Sequence, residues 1–417
     1  MVFCSLYVEN LSILPLLQNI FMIKYAKIIL KTGKEAPVLR FHPWIFSGAI
    51  LRTEGDPHEG DIVEVFSYRK EYLATGHFLR GNISVKLFSF QQAAIDHTFW
   101  KNKLLAAYEL RKRLGLTDNP TNNAYRLVFS EGDQFPGLII DFYNGTAVIQ
   151  SQSPGMDKHK PEFIQALQEI YGDKLKAVYD KSGETNHPGI QYPVSSIQYP
   201  ASSIQHPVTI TETGHKFMVD IEKGQKTGFF LDQRTNRMFA QYYARDRKVL
   251  NAFCYSGAFS VYALKGGAKM VHSIDSSRQA IEWTKENLTL NEIPENTHEE
   301  IVADVKNFLP ETNEMYDMII LDPPAFAKHH NISHNALQAY IHINSEALKK
   351  LNPGGILFTF SCSQPVSREM FRSALQSAAI NTGKNVKMVH QMSQGPDHPV
   401  SIFHPEGEYL KGLILVI

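Results

Sequence analysis

Cysteine is scarce in this chain of 417 residues: only Cys4, Cys254 and Cys362 occur, and no two of them stand at the spacing of metal ligands. A disulfide framework and a metal site are therefore not expected, and a reducing, cytoplasmic location is. An excess of charge of one sign is also lacking, because 42 Lys and Arg residues balance 42 Asp and Glu residues. Any affinity for RNA must therefore come from local patches.

The sequence has no long apolar run of the kind that crosses a membrane. The first 21 residues are apolar in places, but they contain no Lys or Arg and are interrupted by Glu9, Pro15 and Asn19. Neither a signal peptide nor a membrane span is expected. We expect residues 1–21 to precede the folded protein and Met22 to be the working start. With 43% hydrophobic and 20% charged residues, the chain has the composition of a globular protein of two or three domains.

The pattern of apolar residues changes twice along the chain. Short strands separated by Gly and Asp turns occupy residues 22–98 and predict a small β-barrel. A helix predicted at 99–114 leads into a compact α+β domain, which we place at 99–214. Strands then alternate with helices through residues 215–417, which predicts a doubly wound sheet. The fold class is therefore α/β, with a Rossmann-like C-terminal domain.

One stretch of the central domain has a composition of its own. Gln-Tyr-Pro-Val-Ser-Ser-Ile at 191–197 is nearly repeated at 198–204, and Gln-His-Pro follows at 205–207. Three X-Pro units in Ser-rich sequence are typical of an extended linker, and two copies of seven residues are too few for a solenoid. We interpret 185–208 as a linker without a chemical role.

Two apolar strands of the C-terminal domain each end in a reactive group. Asp322-Pro323-Pro324 follows the apolar run 318–321, and Cys362 lies in Ser-Cys-Ser directly after the apolar run 356–360. The carboxyl ends of parallel strands line the crevice where ligands bind, so the two groups can meet over one substrate. A thiol and a carboxylate over one heterocycle indicate covalent chemistry on a base.

The thiol suggests a specific reaction. Carbon 5 of a pyrimidine is a poor nucleophile, but a thiolate that adds to carbon 6 turns the ring into an enamine that can attack a methyl group. Cys362 would supply the thiolate, and Asp322 would protonate or hydrogen-bond ring N3. The alternative for Cys362 is a small apolar residue on a buried strand, and its flanking serines and strand-end position favour the reactive interpretation. Cys254 is interpreted as a packing residue.

Another strand end predicts a nucleoside cofactor. The strand that ends at residue 253 runs into a turn of small residues and a helix, where a ligand can lie against the backbone. Asp275 ends the next strand and is placed to bind ribose hydroxyls. Asp304 ends the third strand and would reach the adenine edge, or would merely cap the following helix. The predicted cofactor residues are Asn251, Phe253, Tyr255, Ser256, Gly257, Asp275, Ser276, Asp304, Val305, Asp322 and Pro323.

These residues narrow the choice of cofactor, but they leave the type of reaction open. Without a Gly-x-Gly-x-x-Gly motif, a dinucleotide is weakly supported, and S-adenosylmethionine fits better. Asp-Pro-Pro is shared by methyltransferases of exocyclic amines, in which the thiol would be a bystander. Those enzymes usually have an aromatic residue after the second proline, where this chain has Ala325 before Phe326. A non-catalytic RNA-binding or ribosome-assembly factor is a further alternative, and a nicotinamide dehydrogenase fits worst.

These motifs closely resemble the ribosomal RNA large subunit methyltransferase I family over residues 23–417. The segments that carry the resemblance are RFHPWIFSG at 40–48, FPGL at 135–138, GQKTGFFLDQR at 224–234, DHPV at 397–400 and PEGEYLKG at 405–412. The repeat at 191–207 and the first 21 residues have no counterpart in that family, and Ala325 replaces what is often a lysine.

The resemblance implies an S-adenosylmethionine-dependent enzyme that makes 5-methylcytosine in 23S ribosomal RNA. It implies that the N-terminal barrel is a PUA domain, an RNA-binding module, and that Cys362 is the nucleophile. It also implies that the segment 226–234 lies beside the cofactor. The residues expected there are Lys226, Asp232 and Arg234.

Overall fold

The computed structural model describes residues 25–184, 207–326 and 333–417. The predicted N-terminal extension 1–21 lies outside these residues, as does the predicted linker except for its last two residues. The chain divides into two compact units: residues up to Lys103 together with Ser153–Ala166, and Leu104–Gln152 together with Leu167–Ile417. Within the described residues, no helix is both long enough and apolar enough to cross a membrane.

The first unit is built on a mixed sheet of six strands. Its elements are β1 (Ala26–Leu30), α1 (Ala36–Leu39), β2 (Trp44–Phe46), β3 (Ile50–Glu54), β4 (Ile62–Phe66), β5 (Tyr72–Phe78) and β6 (Ile83–Ser89). The strands pair in the order β2-β6-β5-β4-β1-β3, and only β1 and β4 are parallel neighbours. The apolar pattern predicts strands at 26–30, 61–65, 72–76 and 83–87, which correspond to β1, β4, β5 and β6, but it does not predict β2 and β3. Because β2 has three residues and β3 is largely exposed, neither has a clear alternation of apolar residues.

Three helices and six strands follow in chain order. They are α2 (His97–Arg113), β7 (Ala124–Phe129), β8 (Leu138–Tyr143), β9 (Thr146–Ser151), α3 (Pro154–Lys158), α4 (Lys160–Tyr171), β10 (Ala177–Asp180), and the paired strands β11 (Val208–Glu212) and β12 (His215–Val219). In the second unit, β7 to β10 form a sheet of order β10-β9-β8-β7, with only β10 and β9 parallel. This agrees with the predicted α+β character of the region.

The rest of the second unit consists of a sheet of seven strands and the α-helices that alternate with them along the chain. Its elements are α5 (Arg234–Tyr243), β13 (Lys248–Ala252), α6 (Ala258–Lys265), β14 (Met270–Asp275), α7 (Arg278–Leu290), β15 (His298–Val302), α8 (Val305–Glu311), β16 (Tyr316–Leu321), α9 (Ser333–Lys349), β17 (Leu351–Ser361), α10 (Arg368–Thr382), β18 (Lys387–Met392) and β19 (Lys411–Val416). The strand order is β15-β14-β13-β16-β17-β19-β18. The predicted α/β, doubly wound architecture is confirmed.

Burial of both faces explains the continuous apolar runs in these strands. In β16, Ile319 and Leu321 pack in one apolar cluster with α9 and α10, while Met318 and Ile320 pack in another with α5 and α6. Strands β13 to β17 run parallel, so their carboxyl ends lie along one edge. The strand order reverses between β13 and β16, which is where ligands bind in such sheets.

Candidate active site

A cavity of about 400 Å³ is lined by residues that follow β13, β14, β15, β16 and β17. The predicted site residues in its wall are Lys226, Asp232, Phe253, Tyr255, Ser256, Asp275, Ser276, Asp304, Val305, Asp322, Pro323 and Cys362. The other lining residues are Gln225, Phe229, Phe230, Gln233, Arg237, Cys254, Ala258, Phe259, Lys306, Pro324, Phe326 and Leu410. Residues from five strand ends therefore meet in one space, as expected for a parallel sheet.

Three predicted cofactor residues do not line the cavity. Arg234 is buried in an ion pair, with its Nη1 3.0 Å from Asp397 Oδ2. Asn251 donates a hydrogen bond to Ser260 Oγ at 2.8 Å. Gly257 begins α6 in a left-handed backbone conformation, with φ of 73°. These residues support the wall of the cavity without facing its interior.

The turn between β13 and α6 is backbone-strained. Phe253 and Tyr255 adopt φ of 61° and 49°, which is unfavourable for residues with a Cβ. The Tyr255 N–H donates to Asp275 Oδ2 at 3.0 Å, and the Tyr255 hydroxyl donates to the Gly228 carbonyl oxygen at 3.0 Å. These bonds hold the turn against the ends of neighbouring elements.

Replacing Gly257 is expected to break this turn. An added Cβ would lie 2.5 Å from Thr284 Cγ2, and φ is unfavourable for any other residue. We expect Gly257→Ala to lower the free energy of unfolding by about 2–4 kcal/mol, measured by urea denaturation. Gly383→Ala is the matched control, because Gly383 has φ of 63° but no atom within 4 Å of the place that a Cβ would take. Gly383→Ala should lower the free energy of unfolding by about 1 kcal/mol. Equal losses in the two variants would refute the steric argument.

Two carboxylates and a hydroxyl lie at one end of the cavity. Asp275 accepts hydrogen bonds from two backbone N–H groups, that of Tyr255 and that of Ser277, the latter at 2.9 Å. Asp304 caps α8 by accepting the Lys306 N–H at 2.8 Å, so the capping interpretation holds, and the residue lines the cavity as well. The Ser256 hydroxyl is buried and has no hydrogen-bond partner among the described residues. This end of the cavity thus has the polar groups that a nucleoside with an amino-acid tail needs.

The reacting groups lie at the other end. The Cys362 Sγ is 3.8 Å from the Pro323 carbonyl oxygen, to which it can donate. The Asp322 Oδ2 accepts a hydrogen bond from Gln233 Nε2 at 2.9 Å. The structure therefore brings together the thiol and the Asp-Pro-Pro turn, which are 40 residues apart in sequence.

Asp322 can hold a proton near neutral pH. Burial raises the pKa of its carboxyl to about 7, and the charge of Asp232 adds to the shift. The hydrogen bond from Gln233 and the charge of Lys226 act in the opposite direction. A carboxyl with such a pKa can act as either a proton donor or an acceptor at physiological pH.

The Asp232 carboxyl has a lowered pKa, in contrast to that of Asp322. Burial alone would raise its pKa, but the positive charge of Lys226, the nearby His398 and a hydrogen bond from the Tyr409 hydroxyl together lower it. The Lys226 ammonium lies over the ring of Phe230, 5.1 Å from its centroid. One cavity thus holds an ionised carboxylate and a protonatable one, a pairing typical of sites with an acid and a base in separate roles.

The thiol needs help to ionise. Burial raises the pKa of Cys362 to about 11, and the charge of Asp322 adds to this shift, while Lys226 and Lys411 oppose it. Lys411 is buried, and its Nζ donates to the Ser363 carbonyl oxygen at 2.7 Å and the Tyr409 carbonyl oxygen at 2.8 Å. Burial also lowers the pKa of Lys411, to about 8.

Sequence reasoning missed the groups that surround the thiol and the acid. Gln233 lies inside the segment 224–234 that carries the family resemblance, but nothing in the sequence pairs it with Asp322. The sequence did contain a clue to Lys411. A lysine directly after Leu410 and just before the apolar run 413–417 is unusual unless its charge has a function. The ring of His398 is buried, and its Nδ1 lies 3.0 Å from Asp397 Oδ1.

This chain matches two family models and curated relatives of known family. The family model for S-adenosylmethionine-dependent methyltransferases matches residues 126–403, and the model for the PUA-like domain matches residues 28–90. A curated relative, Ribosomal RNA large subunit methyltransferase I from Tolumonas auensis, is 40% identical over 400 residues. The match covers 93% of this chain and 98% of the relative.

Solved structures share the fold. A provisionally assigned SAM-dependent methyltransferase from Streptococcus mutans has a TM-score of 0.80 at 20% identity, covering 94% of this chain and 100% of the other. Another solved methyltransferase, complexed with SAH, has a TM-score of 0.80 at 22% identity with the same coverage. At these identities the likeness concerns the fold.

Proposed function

Since the chain belongs to the ribosomal RNA large subunit methyltransferase I family, we propose that it methylates carbon 5 of a cytosine in 23S ribosomal RNA through a covalent bond to Cys362. The predicted family, the PUA-like N-terminal domain and S-adenosylmethionine as cofactor are confirmed. The observation that carries the proposal is the position of the Cys362 thiol, 3.8 Å from the Pro323 carbonyl oxygen in a cavity that also holds Asp322. The three predicted domains, 22–98, 99–214 and 215–417, remain part of the proposal.

The cofactor would occupy the end of the cavity near β13 to β15. Asp275 and Asp304 keep carboxylate lone pairs for the ribose and the adenine edge, and the buried Ser256 hydroxyl is available to the amino-acid part. Asn251 and Gly257 would act indirectly by shaping the turn. When bound, S-adenosylmethionine supplies a methyl group on a sulfonium. The remaining residues proposed at this end are Phe253, Tyr255, Ser276 and Val305. Lys226 and Pro323 are proposed to contact the cofactor from the side of the thiol, and Arg234 would act indirectly from behind the cavity wall.

The chain's own residues would prepare the base. The Cys362 thiol loses its proton to solvent, and the thiolate forms a bond to carbon 6 while the protonated Asp322 donates its proton to ring N3. Carbon 5 becomes nucleophilic and would take the methyl group, whose bond to the sulfonium sulfur would break and leave a neutral thioether. A base then removes the carbon 5 proton, the bond between sulfur and carbon 6 breaks, and the N3 proton returns to Asp322. The target base must leave its stack to reach the thiol, which costs a few kcal/mol.

Product mapping tests this proposal. The protein, S-adenosylmethionine carrying a labelled methyl group and 23S ribosomal RNA should yield 5-methylcytosine at one position, identified by mass spectrometry of RNA fragments. Ribosomal RNA from cells that lack the gene should lack the same modification. A methyl group on an exocyclic amine would refute the proposed reaction, and the Asp-Pro-Pro alternative would then apply.

The thiol should depend on Lys411 for its reactivity. Removing a cation near Cys362 should raise the pKa of the thiol, so Lys411→Met is expected to slow alkylation of Cys362 about fivefold at pH 7. Because the pKa of Lys411 is about 8, the difference from wild type should shrink as the pH rises above 8. Alkylation by iodoacetamide, followed at Cys362 by mass spectrometry, gives the measurement. Lys411→Arg should restore the rate, and a Lys411→Met rate equal to wild type would contradict the prediction.

A further inference from the structure

One oxygen of a buried carboxylate in the cavity lacks a donor. Asp232 has 6% of its surface exposed, and its Oδ2 accepts the Tyr409 hydroxyl. Its Oδ1 is buried and has no hydrogen-bond partner among the described residues, although Asp232 lines the cavity. A buried carboxylate oxygen without a donor is destabilising. A ligand that brings an N–H or O–H group to Oδ1 would remove this penalty.

The charge state of Asp232 restricts that ligand. Lys226, His398 and the Tyr409 hydroxyl keep the pKa of the carboxyl below its usual range despite burial, so Asp232 is ionised at neutral pH. An ionised carboxylate accepts hydrogen bonds and donates none. The free oxygen therefore selects a donor group and repels an acceptor such as a carbonyl oxygen.

The position of Asp232 indicates which ligand provides the donor. The side chain of the next residue, Gln233, bonds Asp322 at 2.9 Å, and the charge of Asp232 raises the pKa of both Asp322 and Cys362, so Asp232 lies near the acid and the thiol. The carboxylates available to the cofactor's nucleoside, Asp275 and Asp304, lie at the carboxyl ends of β14 and β15, on the other side of β13 from β16. Strands are spaced by about 4.8 Å, so these ends of the cavity are separated by roughly 10 Å or more. Asp232 thus belongs to the end that receives the reacting base.

A cytosine and a uracil present opposite groups at this place. Cytosine has an amino group on carbon 4 and an acceptor at N3, whereas uracil has a carbonyl oxygen and an N–H. We propose that Asp232 Oδ1 accepts a hydrogen bond from the 4-amino group of the target cytosine and thereby selects cytosine over uracil. This inference rests on the proposed function and assigns Asp232 to the substrate, in place of the cofactor-binding role that the family resemblance implies. Uracil would set its carbonyl oxygen against a carboxylate.

The test compares two RNA substrates that differ only in the target base, cytosine or uracil. Wild type should prefer cytosine by about a hundredfold or more in kcat/KM, because a buried polar group left unpaired rejects the wrong substrate. Asp232→Asn presents an amide that can donate to the uracil carbonyl oxygen. We expect this variant to lower the preference by about a hundredfold and to methylate the uracil RNA detectably. Its affinity for S-adenosylmethionine should stay within about threefold of wild type, which also reports on folding.

Two further variants separate the contributions. Asp232→Ala has neither acceptor nor donor, so it should lose the preference for cytosine without gaining activity on uracil. Tyr409→Phe removes the donor to Oδ2 but keeps the carboxylate, so it should retain the preference. An unchanged preference in Asp232→Asn would overturn the inference. So would a tenfold or greater loss of S-adenosylmethionine affinity with unchanged preference, which would assign Asp232 to the cofactor. Wild-type product methylated elsewhere than on carbon 5 would refute the proposed function itself.

Discussion

Cys362→Ala is expected to lower the rate of methyl transfer to RNA by at least about 10⁴-fold and to leave the affinity for S-adenosylmethionine within about threefold of wild type. Without a thiolate to add to carbon 6, carbon 5 cannot become a nucleophile, and no other described cysteine replaces it. Single-turnover assays with labelled methyl donor measure the rate, and calorimetry measures the affinity. An exocyclic-amine methyltransferase would keep most of its activity, so retention of activity would refute the covalent mechanism.

The matched control for this loss is Cys254→Ala. Cys254 is buried in the turn after β13, and burial raises the pKa of its thiol far above neutral pH, so it stays protonated. Loss of its packing should reduce the rate by less than about tenfold. A second readout tests the covalent bond itself. RNA with 5-fluorocytosine at the target should form a stable adduct with wild type, because fluorine cannot leave as a proton does, and Cys362→Ala should form none.

Asp322→Asn is expected to lower kcat/KM by about 10²- to 10³-fold and to change its dependence on pH. The proposed reaction needs Asp322 protonated and Cys362 ionised, and their pKa values are about 7 and about 11. Below pH 7 the wild-type rate should increase about tenfold per pH unit as the thiolate fraction grows. Above pH 7 the rate should level off, because each gain in thiolate is offset by loss of the Asp322 proton.

The rate profile of Asp322→Asn should not show this change of slope near pH 7. Asparagine does not titrate, so the rate of Asp322→Asn should continue to increase through pH 7 to pH 9 with the thiolate fraction. Rate profiles between pH 5.5 and 9 with both proteins give the comparison. A break near pH 7 that persists in the variant would assign the titration to another group and remove Asp322 from the proton-donor role.

The same substitution should change stability in a direction set by the raised pKa. An aspartate with a folded-state pKa near 7 and an unfolded value near 3.8 stabilises the folded state fully below about pH 4, and this contribution is lost as the pH rises to about 7. Above pH 7 the buried charge is a penalty, so Asp322→Asn should be more stable than wild type by roughly 2–4 kcal/mol. Urea denaturation at pH 5 and pH 8 measures the change. Asp232→Asn, whose pKa shift has the opposite sign, should show no such gain at pH 8.

The candidate site could be predicted where strand ends determine it. Asp275, Asp304, Asp322 and Cys362 each follow an apolar run, and parallel strands bring their carboxyl ends to one edge, so the sequence predicted that these side chains would meet. Prediction failed for residues that reach the site from elsewhere. Gln233 comes from the segment before α5, and its bond to Asp322 joins positions 89 residues apart. Nothing in the local pattern encodes such a pairing.

The sequence by itself determined the α/β class, the order of strands and helices in the C-terminal domain, and the edge at which the reactive groups lie. These follow from periodicities of two and 3.6 residues and from the geometry of parallel strands, which are local properties. The tertiary structure alone decided that Arg234 pairs with Asp397 behind the cavity wall, that Lys411 lies beside the thiol, and which carboxylate carries a charge. Burial and electrostatic potential are sums over neighbours that are distant in sequence, so only the folded chain defines them.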